Sequence, residues 1–133
     1  MSQENVEIAR RMIRALEQGD EVTLVECCDP NCDLMLPRNL LEGGGYKGQQ
    51  GARQMLADVH STWETVTVEI IRDVDASDDR VVQLTRSTNV GKGDAPAVTY
   101  MYAYLYKLRD GRVISFRPYP SHADALEAVG LAE

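Results

Sequence analysis

The sequence predicts an α+β fold, with helices gathered in the first half of the chain and an antiparallel sheet in the second. Three observations carry that prediction. Apolar residues recur at helical spacing over Val6–Leu16 and again over Ala52–Trp63. From Thr65 to Tyr119 the chain changes to β-branched and aromatic runs of strand character. Only short polar turns separate those runs, which makes them consecutive strands of a meander.

In the first helix Val6, Ala9, Ile13 and Leu16, with Met12 beside them, share one face, and Gly19 supplies the stop. Asp20 can cap a second, short helix carrying Val22, Val25 and Cys28. Asp29-Pro30 closes it, because the residue before a proline is pushed out of the α region. Cys32 to Leu36 reads as a short strand. Pro37 to Gly48 reads as a loop whose Gly43-Gly44-Gly45 run favours mobility and suits an entrance. Ala52, Met55, Leu56, Val59 and Trp63 then fall on one face of a third helix. The strands are read as Thr65–Val74, Arg80–Val90, Val98–Leu108 and Arg112–Tyr119, the last two joined at Asp110-Gly111, a strong hairpin signal. Ala123 to Val129 forms a short terminal helix.

The 133 residues fit one domain, enough to bury roughly two thirds of the unfolded surface. A net charge of -7, from 21 acidic and 14 basic residues, offers no electrostatic footprint for nucleic acid or for an anionic membrane surface. Cys27, Cys28 and Cys32 are three cysteines crowded together with no zinc-type spacing after them, so they read as small hydrophobes in a reducing compartment. The N-terminus has no apolar signal core and no stretch is long enough to span a bilayer, which places the protein in the cytoplasm. No Gly-Lys-Ser/Thr follows the triple glycine, so it is no phosphate loop. Neither a metal nor a cofactor is expected.

The stretches NVEIARRMIRALEQGD, DPNCDLMLP, YKGQQGARQML, YLYKLRDGRVISFRPY and ADALEAVGL, in that order, resemble the SnoaL-like branch of the nuclear transport factor 2-like superfamily. That branch includes polyketide cyclases and is related in fold to ketosteroid isomerase and limonene epoxide hydrolase. The resemblance implies a cone-shaped fold, a curved antiparallel sheet wrapped around N-terminal helices with an apolar pocket inside. It also locates functional positions. The isomerase's general-base aspartate falls on Met35, its oxyanion-binding tyrosine on Met12 and its protonated aspartate on Tyr104. The epoxide hydrolase's arginine and two aspartates fall on Thr85, Ser87 and Pro118. None of these substitutes carries a base, and Pro118 to Ser121 lacks the cyclases' acid.

Other residues are left to carry chemistry. Tyr100, Tyr102, Tyr104 and Tyr106 alternate along one strand, so their hydroxyls share a face. They either line the cavity, donating to a ligand oxygen, or pack against cross-strand neighbours. Asp33, on the same strand face as Met35, is the first candidate base, and the alternative is an exposed strand-start aspartate. His60, beside the apolar stripe of the third helix, is a second proton carrier or a packed residue. Tyr102 and Tyr104 with Asp33 and His60 form the candidate catalytic set. Trp63, Val59, Met55, Phe116 and Ile114 line or floor the pocket in relatives, and core packing explains them equally well. Tyr46 is a gate or a loop anchor. His122 is read as a helix-start or rim residue.

Three functions fit. One is a cofactor-independent enzyme of cyclase, isomerase or hydrolase type acting on a hydrophobic oxygenated substrate by tyrosine polarisation and proton transfer. The second is a non-catalytic binder of a small apolar molecule. The third is an interaction module whose sheet pairs with another chain. Thr99, Met101, Ala103 and Leu105, opposite the tyrosines, are too apolar to face water, and this predicts a homodimer through the outer sheet face.

Overall fold

The computed structural model describes residues 2–38 and 45–131, so Gly43 and Gly44 of the expected entrance loop lie outside the described residues. Helix α1 (Ser2–Gln18) buries Ala9, Met12, Ile13 and Leu16 on the face their spacing requires. It ends at Gly19, whose φ of +73° suits a residue without a Cβ. The Asp20 carboxylate accepts from the Thr23 amide at 3.1 Å and starts α2 (Glu21–Cys27). From there the chain passes directly into β1 (Cys28–Met35), so Cys28 opens a strand and Pro30 sits within it instead of closing the helix. A three-residue strand, β2 (Gly45–Lys47), interrupts the expected loop and pairs with β1.

Helix α3 (Gly48–Thr62) buries Ala52, Met55, Leu56 and Val59. Trp63 does not belong to it. Its backbone is extended (φ -112°, ψ 142°), and it opens β3 (Trp63–Ser77) opposite Gly91. The remaining elements are β4 (Arg80–Gly91), β5 (Ala97–Tyr100), β6 (Ala103–Arg109), β7 (Arg112–Tyr119) and α4 (His122–Ala128).

The sheet runs β2-β1-β7-β6-β4-β3, with β5 continuing the line of β6 along β4. From β3 to β7 the pairings are antiparallel, as a meander requires. The addition of β1 departs from the wholly antiparallel sheet expected, because it joins β7 in parallel. The sheet curves without closing and holds α1 and α3 on its inner face. At the edge strand β3, the Val68 amide donates to Glu17 Oε2 at 2.7 Å and its carbonyl accepts from Arg14 at 2.6 Å. Helix α1 thereby occupies edge groups that would otherwise invite another strand.

The outer face is covered in part by the chain itself. Ala125 and Leu126 of α4 pack on Val82, Leu84, Ala103 and Leu105. Ala103 and Leu105, expected to meet a second subunit, are instead covered by the short terminal helix. Thr99 and Met101 remain exposed, Met101 at 48%.

Candidate functional site

One strand was expected from Val98 to Leu108, and the ladder instead breaks at Met101-Tyr102. No residue is inserted there: Ser87 stands opposite Tyr100 and Leu84 opposite Ala103, so alternation carries through the break. The four tyrosines therefore do share the inner face. Tyr102, Tyr104 and Tyr106 are buried in the core and Tyr100 packs against it. Tyr100 stacks on Tyr102 with ring centroids 5.1 Å apart, and Tyr104 stacks on Phe116 at 4.8 Å.

At the break the Thr85 amide and hydroxyl both donate to the Tyr102 carbonyl, at 2.9 and 2.8 Å. The Thr85 carbonyl accepts from His122 Nε2 at 2.9 Å, which fixes the imidazole proton on that nitrogen. His122 thus stands in for a ladder partner. The Thr85 hydroxyl is committed to the backbone.

Strand β4 sends Gln83, Thr85, Ser87 and Asn89 to the inner face, all buried, while Arg86 points outward to Glu69. Gln83 accepts from the Tyr106 hydroxyl at 2.8 Å, so that tyrosine is occupied. Further along, neither end of the Asn89 amide has a hydrogen-bond partner among the described residues, while Ser87 lies within hydrogen-bonding reach of the Tyr104 hydroxyl. They face a narrow interior cleft of about 10 Å³, walled by Ile13, Leu16, Val66, Val68, Tyr102 and Tyr104. That volume is close to the minimum that holds one water. Burial pushes the Tyr104 phenol well above its ordinary value, and the neighbouring Tyr102 adds to the shift. At neutral pH it is a neutral hydrogen-bond donor.

Tyr102 also walls a second, larger cleft of about 280 Å³ that opens to the surface between the ends of β1 and β7. Met35, Leu36, Pro37, Arg38, Pro118, Tyr119 and Pro120 complete it. Among the described residues this cleft is almost wholly apolar, with Arg38 as its one formal charge. Nothing in the sequence indicated Leu36, Pro37, Arg38, Tyr119 or Pro120. The parallel β1–β7 pairing, which sets Leu34 opposite Phe116, is what brings the two segments together.

The proposed proton carriers lie elsewhere. Asp33 projects from the face opposite Leu34 and pairs with Arg117 at 3.2 Å, its side chain 45% exposed. Its alternation with the core residues Cys32 and Leu34 forces that outcome. His60 donates from Nε2 to the Leu16 carbonyl at 2.7 Å, beside Gly19, and fastens the end of α3 to the end of α1. Neither reaches the interior cleft. Tyr46 donates to Asp58 at 2.7 Å and anchors β2 on α3. Its phenol is pushed up to about 12 by burial and by that carboxylate.

Met12, Met55, Val59 and Phe116 are core, and Trp63 packs at its margin. Ile114 does not join them. The β6–β7 register slips between Lys107 and Leu108, so Ile114 is the extra residue of a bulge while Val113 and Phe116 point inward. Asn89 and Gln83, absent from the candidate residues, carried a usable signal: they continue the every-second-position series of Thr85 and Ser87 along β4.

Among the described residues no group of three or more His, Cys, Asp or Glu could hold a metal ion. No helix among them is long and apolar enough to cross a membrane.

Solved structures with this architecture extend over nearly the whole chain. TerC, co-crystallised with polyporic acid, superposes with a TM-score of 0.76 at 16% identity, covering 95% of this chain and 98% of its own. A hypothetical protein from Catenulispora acidiphila with a ketosteroid isomerase-like fold, in complex with trimethylamine, gives 0.76 at 19% identity over 94% and 93%. An NTF2-like protein of unknown function from Burkholderia pseudomallei gives 0.77 at 15% identity over 96% and 98%. At these identities the likeness is one of fold. No protein of curated function matches the sequence. Residues 9–116 match the SnoaL-like domain, and with helices, sheet and inner face disposed as described, the chain belongs to the SnoaL-like domain family.

Proposed function

We propose that the protein binds a small, largely apolar molecule bearing a carbonyl, enol or similar oxygen. The body of the ligand lies in the cleft between Met35 and Pro120, and its oxygen reaches past Tyr102 to Ser87, Asn89 and Tyr104. One observation carries this reading: both ends of the fully buried Asn89 amide on β4 stand unpaired among the described residues, in an interior cleft that shares Tyr102 as a wall with the surface cleft. Buried polar groups are almost always hydrogen-bonded, so unpaired ones mark a place for a ligand group or an ordered water. The apolar lining supplies affinity and the neutral donors supply orientation.

The enzymatic form of the same reading is a cyclase-, isomerase- or hydrolase-type reaction in which the protonated Tyr104 polarises the bound oxygen. The protonated state of this phenol, held by burial, favours it. The binder comes first, because among the described residues no carboxylate or imidazole lines either cleft to move a proton. A homodimer through the still exposed Thr99 and Met101 face completes the proposal.

Polyporic acid, the compound co-crystallised with TerC, is the first probe, followed by smaller aromatic ketones and phenols. Saturable binding by calorimetry, weakened in Asn89→Leu and unchanged in Asp33→Asn, is the expected result. Equal affinity in the two variants would overturn the placement of the ligand oxygen. A bound compound recovered chemically altered would move the protein to the enzymatic form.

A further inference from the structure

Strand β1 departs from regular pairing at one place. Cys28 stands opposite Val113 and Asp33 opposite Ser115, so five steps along β1 match two along β7. Two strand steps cover about 6.6 Å, whereas five extended steps would cover about 16 Å. The surplus residues Asp29, Pro30 and Asn31 form an outward excursion, with Pro30 and Asn31 exposed. It is closed by the Asn31 amide donating to Asp29 Oδ1 at 2.8 Å. Its neck draws Cys28 and Cys32 together, and both thiols are buried in the same core cluster.

The two sulfurs interact. Cys28 keeps its proton and directs it to Cys32, which raises the Cys28 thiol and lowers that of Cys32. The Gly48 amide, at the first residue of α3, donates to Cys32 as well and also favours its thiolate. Cys32 lines an open surface cleft of about 440 Å³ together with Pro30, Asn31, Asp33, Lys47 and Gly48. The excursion that covers its sulfur is therefore thin. Cys27 differs: desolvation raises its thiol, and the Arg11 charge acts in the other direction.

The geometry points to a reversible redox pair, in which Cys28 and Cys32 close to an intrachain disulfide across the Asp29–Asn31 excursion. A disulfide needs Cα atoms about 4.4–6.8 Å apart, a separation that the compressed register brings within reach. The oxidant is a small-molecule disulfide such as oxidised glutathione. The Cys32 thiolate attacks one of its sulfurs, breaks the S–S bond and releases one small thiolate, leaving a mixed disulfide on Cys32. Cys28 gives its proton to the first released thiolate and attacks the Cys32 sulfur, expelling the second small thiolate, which takes from water the proton that Cys32 lost on ionising. The two cysteines lose two electrons and two protons, and the oxidant gains both as two thiols.

The native protein is equilibrated in reduced and oxidised glutathione mixtures, quenched with acid, alkylated, and read by intact mass and peptide mapping. Expected is the joint loss of two alkylable thiols, a recovered Cys28–Cys32 link, and reversal by dithiothreitol. Cys28→Ser should retain a glutathione on Cys32, Cys32→Ser should form neither link nor adduct, and Cys27→Ser should behave as wild type. Three alkylable thiols in oxidised wild type, or a link that includes Cys27, would overturn the proposal without reference to any variant.

Discussion

Asn89→Leu separates a residue kept for folding from one kept for a ligand. Asn89 is fully buried on β4, and neither its carbonyl nor its amide end has a partner among the described residues. Each buried unpaired polar group costs about 1–3 kcal/mol. Leucine keeps the branching at Cγ and replaces oxygen and nitrogen by methyl groups, which removes both penalties. The adjoining cleft is narrow, so the added volume costs about 1–3 kcal/mol in strain. The ligand-free variant should therefore be more stable by about 1–3 kcal/mol, or about 4 °C in Tm for each kcal/mol at this chain length. Ligand affinity should fall about tenfold, the loss of about 1.4 kcal/mol. Chemical denaturation and calorimetric titration read the two quantities. A destabilised variant that keeps wild-type affinity would refute the reasoning, because Asn89 would then serve the fold alone.

Tyr104→Phe keeps the stacking on Phe116 and removes one donor; affinity should fall by about 0.5–1.5 kcal/mol, and any turnover by about 2.7–4 kcal/mol of barrier, measured by calorimetry and steady-state kinetics. Asp33→Asn alters only a half-exposed pair with Arg117, so denaturation should register less than about 1 kcal/mol and ligand affinity no change. The Tyr46 phenol is raised above its ordinary value to about 12, so its protonated form is the one the fold favours. Its contribution is complete below the unfolded pKa and is lost as pH rises from about 10 towards 12. The stability difference between wild type and Tyr46→Phe should accordingly stay level through neutral pH and shrink in that alkaline window. Light scattering at micromolar concentration should give a dimer, and Met101→Glu a monomer; a wild-type monomer would remove the outer face as an interface.

Much of the fold was legible because periodicity reports directly on burial. The stripe Ala9, Met12, Ile13 and Leu16 is buried as its spacing required, and the tyrosine row faces inward because no residue interrupts the register at Met101-Tyr102. Trp63 reads as helical from sequence because the last position of a helical stripe and the first residue of the next strand look alike there; the backbone turns extended at that junction. For Asp33 the resemblance to relatives prevailed over the residues themselves. Leu34 and Leu36 alternate with Asp33 and Met35, and the leucine face is the buried one. Of the surface cleft, the resemblance to relatives pointed to Met35 and Pro118 and the alternation of β6 to Tyr102, but Leu36 to Arg38 and Tyr119-Pro120 had no signature, since the two segments meet only through parallel pairing of distant strands. The same holds for His122, whose bond to the Thr85 carbonyl depends on where α4 lands on the sheet.

In the proposed binding mode the unpaired Asn89 amide on the inner face of β4 meets the oxygen of the bound molecule. The side-chain amide of Asn89 reports on this directly in nitrogen-15 spectra, assigned by its disappearance in Asn89→Leu. Titration with a compound that binds in calorimetry should shift this resonance saturably, with the same dissociation constant, and protect its protons from exchange. Saturable binding that leaves the Asn89 amide unmoved while resonances of Met35 and Arg38 shift would contradict the account and confine the ligand to the outer cleft.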